Sequence, residues 1–172
     1  MPKFESVKPS ELSRQLREGD SPELNNRRWI VGLSLVGVLM AQIVSLYQVG
    51  IVKHLPDPPL DVFDSDKVDA SDYAYKRFLT PDGFLMLMSY ATTAWLAGIG
   101  GEKRSQTHPM LSLLMGGKIL LDLISAAELA REEWNDNKKL CPYCQTATLA
   151  SLGSLWLAWP EIKRAWQSWR GE

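Results

Sequence analysis

Four stretches of the chain are almost free of charged residues, and the charges are crowded between them. The first, residues 29–52, follows Arg27 and Arg28 and carries no charged side chain. At about 1.5 Å per residue such a helix exceeds the ~30 Å hydrocarbon core of a bilayer, which predicts a transmembrane span. Gln42, Ser45 and Gln48 recur in it at i, i+3, i+6 and predict a polar stripe turned toward neighbouring helices. The second stretch, 83–100, is short for a span but within range, and Gly98, Gly100 and Gly101 bring it to an end. The third, 110–130, contains Lys118 and Asp122 four apart on one helical face. An ion pair at that depth is expected to face protein or a water-filled cavity, either bracing two helices or serving a proton or substrate path. The fourth, 142–160, is uncharged as far as Glu161.

The connecting segments complete an all-α architecture, an integral membrane four-helix bundle. Residues 1–26 form a polar tail in which Pro2, Pro9, Gly19 and Pro22 flank one possible short helix over 10–17. It has no apolar core of the signal-peptide kind, so a cytosolic or interfacial segment is expected. Residues 27–160 are the four-span membrane domain. Within its first loop, 53–81, Pro56, Pro58 and Pro59 exclude regular helix, whereas 65–78 is compatible with a short helix lying over the bundle. Glu128, Arg131, Glu132, Glu133, Asp136, Lys138 and Lys139 read as a wet surface connection. Residues 161–172 are a cationic, Trp-rich tail that, with Trp156 and Trp159, predicts an interfacial belt. Four spans put both termini on one side. Lys and Arg lean slightly toward that side, which predicts cytosolic termini in a plasma, inner or thylakoid membrane and an extracytoplasmic first loop.

Composition sharpens the picture. Among 172 residues, 19 Lys and Arg face 20 Asp and Glu, and the net charge of −1 supplies no field for nucleic acid. A mean hydropathy of −0.15 is an average of apolar spans and charged loops. The only two cysteines stand in Cys141-Pro142-Tyr143-Cys144, where the third loop gives way to the fourth apolar run. A Cys-X-X-Cys opening a helix places its first thiol at the positive end of the macrodipole, which favours a thiolate, and Pro142 suits the first helical position. Cys141, nearer the loop, is expected to be the more reactive thiol and the first labelled from the outer face. One reading of the pair is a redox dithiol; the other is two small buried hydrophobes three apart. A zinc site is not expected, because His54 follows the first span and His108 precedes the third, which separates them by a membrane thickness. A nucleophile-elbow pattern is absent as well.

The four spans, Cys141-Pro142-Tyr143-Cys144 at the start of the fourth, and Ser65-Asp66-Lys67-Val68-Asp69-Ala70-Ser71 after the first make the chain resemble the vitamin K epoxide reductase family over roughly residues 28–160. The resemblance implies a four-helix bundle around a quinone, with Cys144 attacking the quinone and Cys141 exchanging with a protein thiol, such as that of a thioredoxin-like dithiol partner. It further implies that the second loop cysteine of the family falls on Ser65, and that the first has no counterpart in 53–81. An Asn that holds the quinone carbonyl in some members aligns with Asp82, or by spacing with Tyr90, and a Tyr four residues beyond the second cysteine is here Thr148. The function implied is thiol:quinone oxidoreduction. The alternative is a non-catalytic subunit or assembly factor of a membrane complex built on the same fold.

Overall fold

A computed structural model describes residues 8–171; residues 1–7 of the polar tail and Glu172 lie outside the described residues. The helices in chain order are α1 (Pro9–Glu18), α2 (Pro22–Gln48), α3 (Ser65–Asp69), α4 (Tyr73–Lys76), α5 (Asp82–Gly98), α6 (Arg104–Thr107), α7 (Pro109–Asn137) and α8 (Pro142–Arg170). Two of them, α2 and α7, are long and apolar enough to cross a membrane. The other two long helices fall short for separate reasons: α5 has 17 residues, and the uncharged run of α8 is diluted by Gln145, Thr146, Thr148, Ser151 and Ser154. Helix α2 starts two turns before its apolar run because Ser21 caps it, its side chain accepting from Leu24 N at 3.3 Å, with Pro22 in the first turn.

The long helices pack as a bundle in which α2 lies against α5 and α8, and α8 against α7. Gly37 allows the closest approach, since a Cβ there would fall 2.3 Å from the Tyr90 ring. Two apolar clusters divide the interior. Ile30, Leu96, Met115, Ile119 and Ala158 fill one end, while Val44, Val68, Tyr73, Ala74 and Cys141 fill the other. Outward, Leu35, Leu39, Trp95, Leu121, Leu149 and Leu152 stand exposed, an apolar coat that water would not tolerate on a monomer and lipid does. Lys163 lies 5.3 Å from the Trp159 ring, in keeping with an interfacial anchor.

Several details differ from what the pattern of residues suggests. The polar stripe on α2 splits, Ser45 and Gln48 being buried and Gln42 exposed, because 3.6 residues per turn carries the first of them off the face of the other two. The span 65–78 is two short helices, broken at Ala70 and Ser71. Two of the cations that the count of Lys and Arg places at the terminal end are buried in the bundle. Arg27 donates to Ile99 O and Gly101 O, both at 3.0 Å, so it satisfies carbonyls left open where α5 ends. Arg104 donates through Nε to Glu161 Oε1 at 2.6 Å and through Nη1 to Leu96 O and Ile99 O.

The opposite end is closed by the first loop. Phe63 pairs with Leu140 in a short bridge, with Leu140 N donating to Val62 O at 2.9 Å and Asp64 N to Leu140 O at 3.2 Å. Tyr47 and Tyr143 reach up from α2 and α8 to donate to Asp66 O (2.9 Å) and Pro56 O (2.7 Å). Lys67 Nζ donates to Asn137 O at 3.0 Å. These ties press α3 onto the start of α8.

Candidate functional site

Cys141 is the N-cap of α8, and its Sγ accepts from Cys144 N at 3.3 Å, with Pro142 following at the first position. Both cysteines are thiols in this structure. Around them the loop supplies one face of α3, on which Ser65, Val68 and Asp69 are buried, a spacing of three and four that one helical turn turns the same way. Ser65 Oγ lies 4.0 Å from Cys141 Sγ. It donates to Asp57 Oδ1 at 2.5 Å while its backbone N–H donates to Asp57 Oδ2 at 2.8 Å, so two hydrogen bonds hold the loop closed here. An oxygen of Asp69 lies within 4.8 Å of both sulfurs. From α7, Glu133 accepts from Cys141 N and from Gln145 Nε2, each at 3.3 Å.

The two thiols face different surroundings. Cys141 is 0% exposed beneath α3, contrary to the expectation that the loop boundary would leave it open to reagents from outside. Burial also pushes its thiol up, overriding the helix N-terminus that the sequence pattern points to. Cys144, a turn further on, lines a cavity of about 250 Å³ between α2, α5, α7 and α8. Asp82, Tyr90 and Thr148 line the same cavity, so the bundle brings together all four residues that the sequence singles out around it.

Their hydroxyls, however, are spoken for. Tyr90 donates to Ala147 O at 2.5 Å and meets Ser151 Oγ at 2.8 Å, and Thr148 donates to Cys144 O at 2.9 Å. Asp82 accepts from Gln48 Nε2 at 2.6 Å, while Gln48 Oε1 accepts from Gly83 N at 3.0 Å, which fixes the first turn of α5. An unpaired donor lies elsewhere on the lining: Arg77 pairs through Nη2 with Glu132 at 3.0 Å, and its buried Nη1 finds no partner among the described residues. Lys118 and Asp122 form the expected pair at 2.5 Å, with Ser89 and Thr93 of α5 completing it, and Asp122 also lines the cavity.

A model of the vitamin K epoxide reductase family matches residues 28–159. The chain belongs to the vitamin K epoxide reductase family. No curated protein and no solved structure matches the chain at a significant level. Membership of the vitamin K epoxide reductase family, a family of thiol oxidoreductase type, joins the two apolar helices in making this a membrane protein.

Sequence reasoning missed Asp69, Glu133, Asp57 and Arg77. Glu133 belongs to what reads as a wet connection, yet it is 2% exposed because α7 runs on to Asn137 and turns that residue toward α8. His54 pairs with Asp66, whose other oxygen accepts from Leu55 N at 2.8 Å, which gives this histidine a part in holding the loop.

The contact at Ser65 makes a direct prediction. Ser65→Cys, under mild oxidation, is expected to crosslink to Cys141, because the present side-chain atoms are 4.0 Å apart and a disulfide needs only a small further approach. The check is made in a Cys144→Ser background, where the native pair cannot form, and is loss of both remaining free thiols on a denaturing gel with a maleimide mass tag. Retention of both would place α3 away from α8 in the membrane.

Proposed function

We propose that the protein is a membrane thiol:quinone oxidoreductase whose reacting group is the Cys141–Cys144 pair. The observation that carries this reading is the position of Cys144 on the cavity wall, with the pair's other thiol turned to the loop. The cavity suits a quinone ring. Val44, Leu85, Met86 and Leu129 offer apolar surface, and Arg77, whose buried Nη1 finds no partner among the described residues, would turn that donor to a carbonyl oxygen. Arg77 and the backbone around Asp82 would orient the ring; Tyr90 and Thr148 would shape the cavity rather than donate to it. A bound quinone would supply a two-electron sink and leave as the hydroquinone. The pair would in turn be reduced by an external dithiol, such as that of a thioredoxin-like protein. With Ser65 in place of a loop cysteine, that donor must reach Cys141 itself, by displacement of α3.

In this reading α2, α5, α7 and α8 are four spans, with cytosolic termini and the dithiol at the extracytoplasmic end of a plasma, inner or thylakoid membrane. Sheltered from water by the loop, Cys141 keeps its electrons for a partner that can lift α3. The test is purified protein in detergent, given dithiothreitol and a short-chain quinone, with hydroquinone formation followed by absorbance. Catalysed turnover is expected, and no rate above background would refute the proposal.

One observation favours a second reading. A fully covered Cys141 under a loop closed by Asp57 and Ser65 also suits a non-catalytic subunit of a membrane complex. The potential of the pair separates the two: a structural disulfide lies below about −300 mV, a working one near the potentials of cellular dithiols.

A further inference from the structure

Asp69 is 2% exposed, and among the described residues its Oδ2 finds no hydrogen-bond partner. A carboxyl group buried in this way weighs against folding unless something else needs it. Its backbone is held, since Asp69 O accepts from Gln48 Nε2 at 3.3 Å, and its side chain lies on the face of α3 that Ser65 and Val68 turn toward α8. The atoms it meets there are the two sulfurs, each within 4.8 Å of a carboxylate oxygen. We propose that Asp69 is the proton-transfer residue of the dithiol, giving a proton to Cys141 Sγ when the disulfide opens and taking it back when the disulfide closes. This rests on the reading of the pair as a redox dithiol.

The exchange balances. Opening by an external dithiol breaks the Cys141–Cys144 bond and forms the S–S bond of the donor. The proton on Cys141 then comes from Asp69, that on Cys144 from one donor thiol, and the second donor proton goes to water. Closing re-forms the Cys141–Cys144 bond. Two electrons pass to a quinone-class acceptor with the Cys144 proton, the acceptor draws its second proton from water, and the Cys141 proton returns to Asp69.

The titratable groups that face Asp69 are Asp57 of the loop, Tyr47 of α2, Tyr73 and Tyr75 of α4, Asp82 of α5, Glu133 of α7, and Cys141, Tyr143 and Cys144 at the start of α8. All are acids. Burial first, and then the Asp82, Glu133 and Asp57 carboxylates, push Asp69 up to about 8, against a lowering contribution from the Cys141 thiol. A carboxyl group titrating there is divided between its two forms near neutral pH, the condition under which one group both gives and takes a proton efficiently.

The test uses the whole protein in detergent with its pair oxidised, and follows thiol release on adding dithiothreitol as a function of pH. Wild type is expected to show an inflection near pH 8. Asp69→Asn is expected to be reduced at least about 10²-fold more slowly below that inflection and to lose the inflection itself, while Asp69→Glu keeps both in part. The melting temperature of Asp69→Asn should equal or exceed that of wild type, because a neutral amide replaces a carboxyl group whose charged form burial opposes. A wild-type rate and profile in Asp69→Asn would overturn the proposal, as would a slow variant that keeps the inflection. Dithiothreitol opens the pair without any quinone, so failure of quinone turnover leaves this measurement readable.

Discussion

Replacing Cys144 with serine is expected to reduce dithiol-driven quinone reduction by at least about 10³-fold while leaving the melting temperature close to that of wild type. The size follows from the chemistry. Two electrons leave the pair only if a second sulfur closes on the first, and a serine hydroxyl cannot form that bond. For the same reason Cys141→Ser should be as inactive as Cys144→Ser, and the double variant no worse than either, since groups that act as a unit do not lose activity additively. Little stability should be lost, because Cys144 makes no side-chain bond that serine cannot imitate; what its backbone N–H gives to Cys141 Sγ survives in the variant. Activity in Cys144→Ser above the uncatalysed rate would remove the pair from the mechanism.

What could be read from the sequence and what could not divides by range along the chain. The Cys141-Pro142-Tyr143-Cys144 segment was legible because a cap and a first-turn proline are local devices, and the Lys118–Asp122 pair because four residues is one turn. Asp69 was illegible. It is one of several aspartates in a polar loop, and nothing in its neighbours distinguishes it from Asp61 or Asp72; only the packing of α3 against α2, α7 and the Cys141 cap of α8 buries it. Glu133 was hidden in the same way by a charged run that continues a helix. Tyr90 and Thr148 were placed at the cavity by the resemblance to the family, yet an alignment does not say where a hydroxyl points, and both turn theirs to α8 backbone. That Nη1 of Arg77 finds no partner among the described residues shows only once the first loop is folded against α7, where Nη2 meets Glu132.

The largest loss of stability is expected at the other end of the bundle, from Arg104→Met. Arg104 is 1% exposed and Glu161 2%, and their side chains meet at 2.6 Å with Ser112 Oγ donating to the same Glu161 oxygen at 2.6 Å. Removing one member of a buried pair leaves the other charged and unpaired, which costs about 3–5 kcal/mol. In a chain of this length that corresponds to a fall of roughly 10 °C or more in melting temperature. Glu161→Gln should approach the same range, because the guanidinium remains without its counter-charge. Arg104→Met should be the worse of the two, since Leu96 O and Ile99 O lose a donor along with Glu161. Joint replacement, Arg104→Met with Glu161→Leu, usually restores most of what a broken pair loses. Here it should restore only the share owed to Glu161, because the carbonyls that end α5 stay unsatisfied whatever stands at 161. Tryptophan fluorescence during heating in detergent gives the order directly. A double variant as stable as wild type would mean that Arg104 serves Glu161 alone, and that Arg27, which donates to Ile99 O and Gly101 O beside it, is enough to close the end of the helix.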